Sequence, residues 1–591
     1  MQLWRQCAAL TMVAALVALV PAPGAAVAGP DDDRATVASV LEARKALSKV
    51  ADVLHRPTAT AEGGVAISGI GGTAAIGAEH TCTVVLYANV WCWGANADGQ
   101  LGDGTTTAAT EPVRISATGG LRNKLVLGIT AGRAHTCALA FDFASFTAYC
   151  WGADDEGQLG DGGTASRSRP VEVANDVAGL AAGAEHTCAL SLEMTVSCWG
   201  RNDVGQLGFD TGGASEPTPR EVPGLSDIVG ISANENNTCA VDTHGKAYCW
   251  GSDTHGQLGD GGGASGTPSA TPQPVLMTAV TDGFNQISVG RRHVCAVDAS
   301  AVFAGRVWCW GDDAEGQLGN GATAADFSRP SRLAGNRTFI SVAAGGDSAC
   351  ATTTRGQGYC WGANDHGQLG TGDRTGHPLP TAVDQSPVHV SAPVRMLYGV
   401  PETMIVDDTV GAAHGCATDV QLTVYCTGSN SAGQIGDGTT TDTSTLTALN
   451  LAPSAVRDVR ASAGDGTVTV RWTPPAAAGA APISAYIAVA SDGTGSKALE
   501  NAGSCDTTGA LTCTVTGLQN NRKYTVFVLA VSAGGASYSD FAYATPVGGG
   551  AGGGLPITGP GPALAAGLML LAAGTVLTLT GRVRHGHRRT A

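Results

Sequence analysis

The chain has 591 residues and a formal charge of −16, with 84 glycines but only 14 % charged and 5 % aromatic residues. The low charge excludes a long disordered chain, and the glycine excess favours short strands between turns over long helices. The acidic balance excludes a nucleic-acid partner, because such a surface repels phosphate backbones.

Residues 1–28 place Arg5 before an apolar run from Cys7 to Val20 and then Ala26-Val27-Ala28. That order predicts a secretory signal peptide with a small-residue cleavage site. In 29–64, Val37, Val40, Leu41, Leu47, Val50 and Leu54 recur at helical spacing, and Pro57 ends the pattern. A leader helix is expected, packed on its neighbour or exposed to solvent.

Residues 65–452 repeat one phrase seven times. It ends as Cys92-Trp93-Gly94 followed by Gly99-Gln100-Leu101-Gly102 and returns at Cys150, Cys198, Cys249, Cys309, Cys360 and Cys426, with Thr427 in place of the tryptophan in the last copy. An earlier cysteine opens each copy: Cys82, Cys137, Cys188, Cys239, Cys295, Cys350 and Cys416. Length varies between the two cysteines and never between the second and the glutamine, as in a hairpin with a variable tip. The fourth copy predicts its register: Cys239 faces Cys249, Ala240 faces Tyr248, Val241 faces Ala247, and Thr243-His244-Gly245 form the loop. Facing cysteines of an antiparallel pair lie within disulfide reach. Cys7 leaves with the signal, and Cys505 pairs with Cys513, so no thiol remains unpaired after export.

His80, His135, His186, His293 and His414 stand two residues before the first cysteine, but Asn237 and Ser348 replace histidine in two copies. No fourth ligand recurs at fixed spacing, and the acidic stretch Asp312-Asp313-Ala314-Glu315 lacks the ligand spacing of a calcium loop. No metal or cofactor is expected. The histidines are expected to bond local backbone at strand entries, and Gln100 and its counterparts to satisfy loop backbone. No phosphate-cradling loop or nucleophile elbow occurs, so no catalytic residue is assigned.

The His-x-Cys strand, the Cys-Trp-Gly strand and the Gly-Gln-Leu-Gly turn resemble the repeats of the regulator of chromosome condensation family. The resemblance implies an all-β, seven-bladed β-propeller. The family's eponymous role, nucleotide exchange on a small GTPase at chromatin, fits neither an export signal nor the acidic body. Some secreted bacterial propellers of this family inhibit β-lactamases, which makes an inhibitor of a secreted enzyme the alternative to a binding or adhesion module. Candidate contact residues are those unique to single copies: Met396, Leu397, Tyr398 and Met404 in the insertion Val388–Val410, and Phe141, Phe143 and Phe146 in the second hairpin tip.

In 453–546 the pattern changes to alternating strands, Thr467–Trp472 and Tyr524–Val528. Trp472, Leu518 before Asn520, and Tyr524 resemble a fibronectin type III domain, an immunoglobulin-like β-sandwich, in which Cys505 and Cys513 would pin one hairpin. Residues 547–554 form a Gly-rich tether. The end, 555–591, holds Leu555-Pro556-Ile557-Thr558-Gly559, an apolar span over 563–580 and four arginines. This resembles the LPXTG cell-wall sorting signal of Gram-positive bacteria, and an actinobacterial source is expected. The resemblance implies a single transmembrane helix before sorting, cleavage between Thr558 and Gly559 by a sortase, and transfer to the peptidoglycan precursor. The expected product is a wall-anchored surface protein whose propeller binds an unidentified protein or glycan.

Overall fold

A computed structural model of the chain describes residues 74–548, apart from 86–88, 116–118, 123, 143–144, 263–265, 281, 301–303, 324–325, 389–404, 412, 420–422, 450, 493–502 and 533. The signal, the leader, the sorting motif and the 563–580 span lie outside the described residues. Within them every regular element is a strand, and no helix is long and apolar enough to cross a membrane.

Seven four-stranded antiparallel sheets follow one another along the chain, each built from four consecutive strands. The blades span 74–114, 125–175, 177–221, 228–274, 284–332, 341–382 and 405–448. In blade 1 the strands are Ala74–Ile76, His80–Val85, Asn89–Gly94 and Ala109–Arg114. The two middle strands are buried almost throughout, whereas the fourth alternates exposed and half-buried positions. That is the difference between a strand covered on both sides and one at the rim of the ring.

The hairpin register is the expected one. Cys239 faces Cys249, Ala240 faces Tyr248 and Val241 faces Ala247, while Asp242 N–H donates to Lys246 O at 3.0 Å. In every blade the two cysteines are opposite each other and bonded, with Cα atoms 4.1 Å apart. Each bridge closes a short loop, worth about 3 kcal/mol where chain entropy alone is counted. The glycine after each tryptophan is required by geometry: Gly94 has φ +103° and its missing Cβ would lie 2.3 Å from Glu79 O.

The sandwich has a three-stranded sheet (Arg457–Gly464, Thr467–Thr473, Thr512–Val515) facing a five-stranded one that includes Gly503–Thr507, Ile483–Ser491 and Tyr524–Ser532. Trp472 and Tyr486 pack in its core with centroids 5.6 Å apart. Tyr524 Oη accepts from Gln519 N–H at 3.0 Å, tying the corner before its strand. Cys505 and Cys513 do not pin a hairpin. They lie in different sheets, so their bond clasps the two layers of the sandwich together. A loop of the sandwich reaches the propeller: Ala481 packs on a cluster of Trp91, Trp93, Val424 and Leu449, where blades 1 and 7 meet, and Ala480 N–H donates to Leu451 O at 3.0 Å.

Candidate functional site

The repeated residues meet at the seams between blades. Gln100 Oε1 accepts from Asp98 N–H at 3.0 Å, and its counterparts do the same in all seven copies. The glutamine's own carbonyl reaches across the seam. Gln100 O accepts Trp151 Nε1–H of the next blade at 2.9 Å, and Gln434 O of the last blade accepts Trp93 Nε1–H of the first at 2.8 Å. Six tryptophans are fully buried in this way. At the six seams with a tryptophan, the glycine two residues after the glutamine makes room for the indole: a Cβ on Gly436 would lie 2.7 Å from Trp93 Nε1.

The histidines do not bond local backbone. Four of the five bond the next blade. His80 Nε2 lies 2.9 Å from Thr136 Oγ1, His135 Nε2 2.9 Å from Thr187, His186 Nε2 2.8 Å from Thr238, and His414 Nε2 2.9 Å from Thr81. Each threonine hydroxyl donates its proton to the glutamine carbonyl of the preceding blade, so the imidazole must be the donor through Nε2–H. The threonine that receives it directly follows the histidine position in blades 1 to 4 and becomes Val294, Ala349 and Gly415 in blades 5 to 7. The seams 7/1, 1/2, 2/3 and 3/4 therefore carry the histidine link and the other three lack it, leaving His293 without a hydrogen bond. Burial pushes the imidazoles down to about 4 for His80, His186 and His293 and about 3 for His135 and His414.

The turn itself varies in one chemically sharp way. Four residues after the second cysteine stands Asn96, Asn202, Asn364 or Asn430 in four blades and Asp154, Asp253 or Asp313 in three. Oδ1 always accepts the N–H five residues on, as from Leu101 at 3.0 Å and Leu159 at 2.9 Å. Asn96 Nδ2–H also donates to Thr107 O at 3.0 Å. Asp154 has no such donor: it is fully buried, its Oδ2 has no hydrogen bond, and burial pushes its pKa up to about 6. Because that folded value exceeds the unfolded one, ionising Asp154 costs stability as pH rises through 6. Asp154→Asn is expected to raise stability by about 1–3 kcal/mol at pH 7.5 and by clearly less at pH 5. Urea midpoints at the two pH values measure this, and a loss of stability, or a gain independent of pH, would contradict it.

On the face where strands enter, neighbouring blades are also joined loop to loop, as by Arg133 N–H to Ala184 O at 3.1 Å and Gly346 N–H to Gly411 O at 2.8 Å. Arg133 pairs there with Glu235 at 2.9 Å and Arg201 with Glu185 at 2.5 Å. The proposed contact residues fare differently. Phe141 is buried and stacks across its hairpin on Phe146, centroids 4.7 Å apart, which makes it core rather than face; Phe143 lies outside the described residues. The insertion is shorter than expected, since Ile405–Val410 forms the first strand of blade 7. Met396, Leu397, Tyr398 and Met404 lie outside the described residues, as do Leu555, Pro556, Ile557, Thr558 and Gly559.

Sheets, disulfides and seams together define a seven-bladed propeller stapled within each blade and followed by a β-sandwich. Residues 63–398 match the family model described as the RCC1-like domain, and 454–544 match the fibronectin type III domain. The first match covers more than half of the chain, and the protein belongs to the RCC1-like domain family. It is similar to the ultraviolet-B receptor UVR8 of Arabidopsis thaliana, 29 % identical over 411 residues, 68 % of this chain and 87 % of UVR8. It is also similar to the human E3 ubiquitin-protein ligase HERC2, 27 % identical over 52 % of this chain but only 5 % of HERC2. Among solved structures it shares its fold with yeast RCC1 (Prp20) bound to Kap60, at TM-score 0.52 and 21 % identity, covering 67 % of this chain and 90 % of that one. The structure of Prp20p from Saccharomyces cerevisiae, with its binding properties to Gsp1p and histones, matches at TM-score 0.50 and 21 % identity, over 65 % and 87 % of the two chains.

Proposed function

We propose that this protein is exported, joined through Thr558 to peptidoglycan by a sortase, and displays its propeller as a binding platform for a protein or glycan. The observation that carries the reading is the thiol economy. All sixteen cysteines from Cys82 to Cys513 are paired, and those of the propeller are buried at 5 % exposure or less. A full set of structural disulfides suits an oxidising exterior, which agrees with the leader and sorting elements of the sequence. The seam residues are buried in inter-blade bonds, which leaves recognition to the loops that vary from copy to copy. Recognition is also the theme in the names of its relatives: UVR8 is a receptor, and Prp20p has binding properties to Gsp1p and histones. Here those particular partners are not carried over, because an acidic exported body meets neither.

Immobilised oxidised protein would be exposed to the cell's secreted proteins and to an array of surface glycans, with reduced and unfolded chain as the control. One protein or glycan retained only by the oxidised protein is the expected result. Nothing retained from either pool, or equal retention on the unfolded chain, would overturn the platform reading.

A further inference from the structure

We propose that the seam between blades 4 and 5 holds one divalent transition-metal ion on His255, Asp312 and Asp326. His255 belongs to the turn of blade 4. Asp326 directly precedes the fourth strand of blade 5 (Phe327–Arg332), and Asp312 directly follows its third (Val307–Gly311). These distant positions bring one ligand atom each to within 4.8 Å of one another, and His255 Nδ1 is already 3.1 Å from Asp326 Oδ2. In a tetrahedral site with bonds near 2.0–2.2 Å, ligand atoms sit about 3.3 Å apart. One edge of the site is thus in place, and rotation of the half-buried His255 and Asp326 brings in the third atom.

The buried side of this corner is short of positive charge. Asp312 is 2 % exposed; its Oδ1 accepts from Ala314 N–H at 3.0 Å, and its Oδ2 pairs with Arg292 Nη2 at 2.8 Å. Arg292 is itself 37 % exposed and also faces Asp347 at 3.7 Å, so it has a second carboxylate to turn to when a metal takes Asp312. Beside them Asp313 is fully buried, and its Oδ2 lacks a hydrogen bond. Of these carboxyl groups, Asp312 pairs with Arg292 and Asp326 with His255, and Asp313 stands buried beside them. A divalent cation balances that set, and one nitrogen with two oxygens favours zinc over calcium, which takes six or more oxygens.

The repeat supplies its own control. At seam 6/7, His366 and Asp442 occupy the same places and lie 2.8 Å apart, but Ser429 stands where Asp312 does and Asn430 where Asp313 does. Seams 4/5 and 6/7 both lack the histidine–threonine link, and a bound ion would restore a polar tie at the first of them.

The test uses chelator-stripped protein with intact disulfides, dialysed against zinc chloride at pH 7.5 and assayed by elemental mass spectrometry, with circular dichroism to verify folding. The protein is expected to hold one zinc equivalent more than His255→Gln or Asp326→Asn, while His366→Gln holds as much as the unaltered protein. Both altered sites are half-exposed, so these variants should fold. No uptake, uptake unchanged by His255→Gln and Asp326→Asn, or an equal loss in His366→Gln would each overturn the proposal.

Discussion

Trp93→Ala is expected to destabilise the propeller by about 3–5 kcal/mol, the usual range for emptying a buried indole site, and by more than the same change at Trp250. Both side chains are fully buried and both donate to a glutamine carbonyl of the preceding blade, at 2.8 and 2.9 Å. Their seams differ chiefly in how the chain closes them. Blades 3 and 4 are joined by the chain, whereas every strand of blade 7 lies at the C-terminal end of the ring and every strand of blade 1 at its start. No strand is exchanged between them among the described residues, so seam 7/1 is closed by packing and hydrogen bonds alone. It carries the full set: Trp93, the His414–Thr81–Gln434 chain, and Ala481 of the sandwich packed alongside. By contrast seam 6/7, where the chain is continuous, has lost both the tryptophan and the histidine link; Thr427 Oγ1 donates to Gly367 O at 2.9 Å instead. Trp93→Phe keeps most of the volume and loses the N–H bond, so about 1 kcal/mol of loss is expected there. Denaturant midpoints of Trp93→Ala, Trp93→Phe and Trp250→Ala measure the ordering, and Trp250→Ala proving equal to or worse than Trp93→Ala would refute the closure argument.

Stability is expected to fall as pH drops from 6.5 towards 3. Five fully buried imidazoles have folded values of about 3 to 4, below the 6.5 of the unfolded chain. In that window the unfolded state binds more protons, so acid favours unfolding. Three buried carboxyls oppose this. Asp154, Asp253 and Asp313 are pushed up to about 6, so between 6 and 3.8 the folded state binds their protons first and gains stability as pH falls. Five groups against three leave a net difference of about two protons, a slope near 2–3 kcal/mol per pH unit in the middle of the window. Asp203, Asp373 and Asp442 lie below the usual carboxylate range through Arg201, Thr371 and His366 respectively, and add to the loss at the acid end. Urea unfolding at half-unit intervals from pH 7.5 to 4 checks the sign. His135→Gln should be less stable at pH 7.5 yet show a shallower decline, and a flat profile from 6.5 to 4 would contradict the role given to the imidazoles.

Legibility in the sequence followed sequence distance. The hairpin register, the disulfides within blades and the three-residue loop at Thr243-His244-Gly245 are local, and fixed spacing was enough to place them. The histidine's partner is more than fifty residues away in the next blade, 333 for His414, and a strand-entry position says nothing about it. A signal was present all the same: threonine follows the histidine position only in blades 1 to 4, which are the blades whose threonines receive the link. Cys505 and Cys513 show the converse limit. An eight-residue spacing fits a hairpin and a two-sheet clasp equally, and only the placing of Gly503–Thr507 and Thr512–Val515 in separate sheets decides between them. Phe141 read as a variable tip residue because Cys137 to Cys150 is three residues longer than most, yet the longer hairpin extends the strands and buries it.

The most direct test of surface display is the C-terminus of the protein in cells. Cell walls would be digested with a muramidase, and the tryptic peptide that begins at Tyr524 sequenced by mass spectrometry without prior reduction of the sample. The expected peptide ends at Thr558 and carries a peptidoglycan fragment on its terminal carbonyl, and the separate tryptic peptide from Ala498 to Arg522 still holds the Cys505–Cys513 bond. A peptide that continues through Gly559 to Arg582, from protein recovered in the cytosol with free thiols, would contradict export, anchoring and display together.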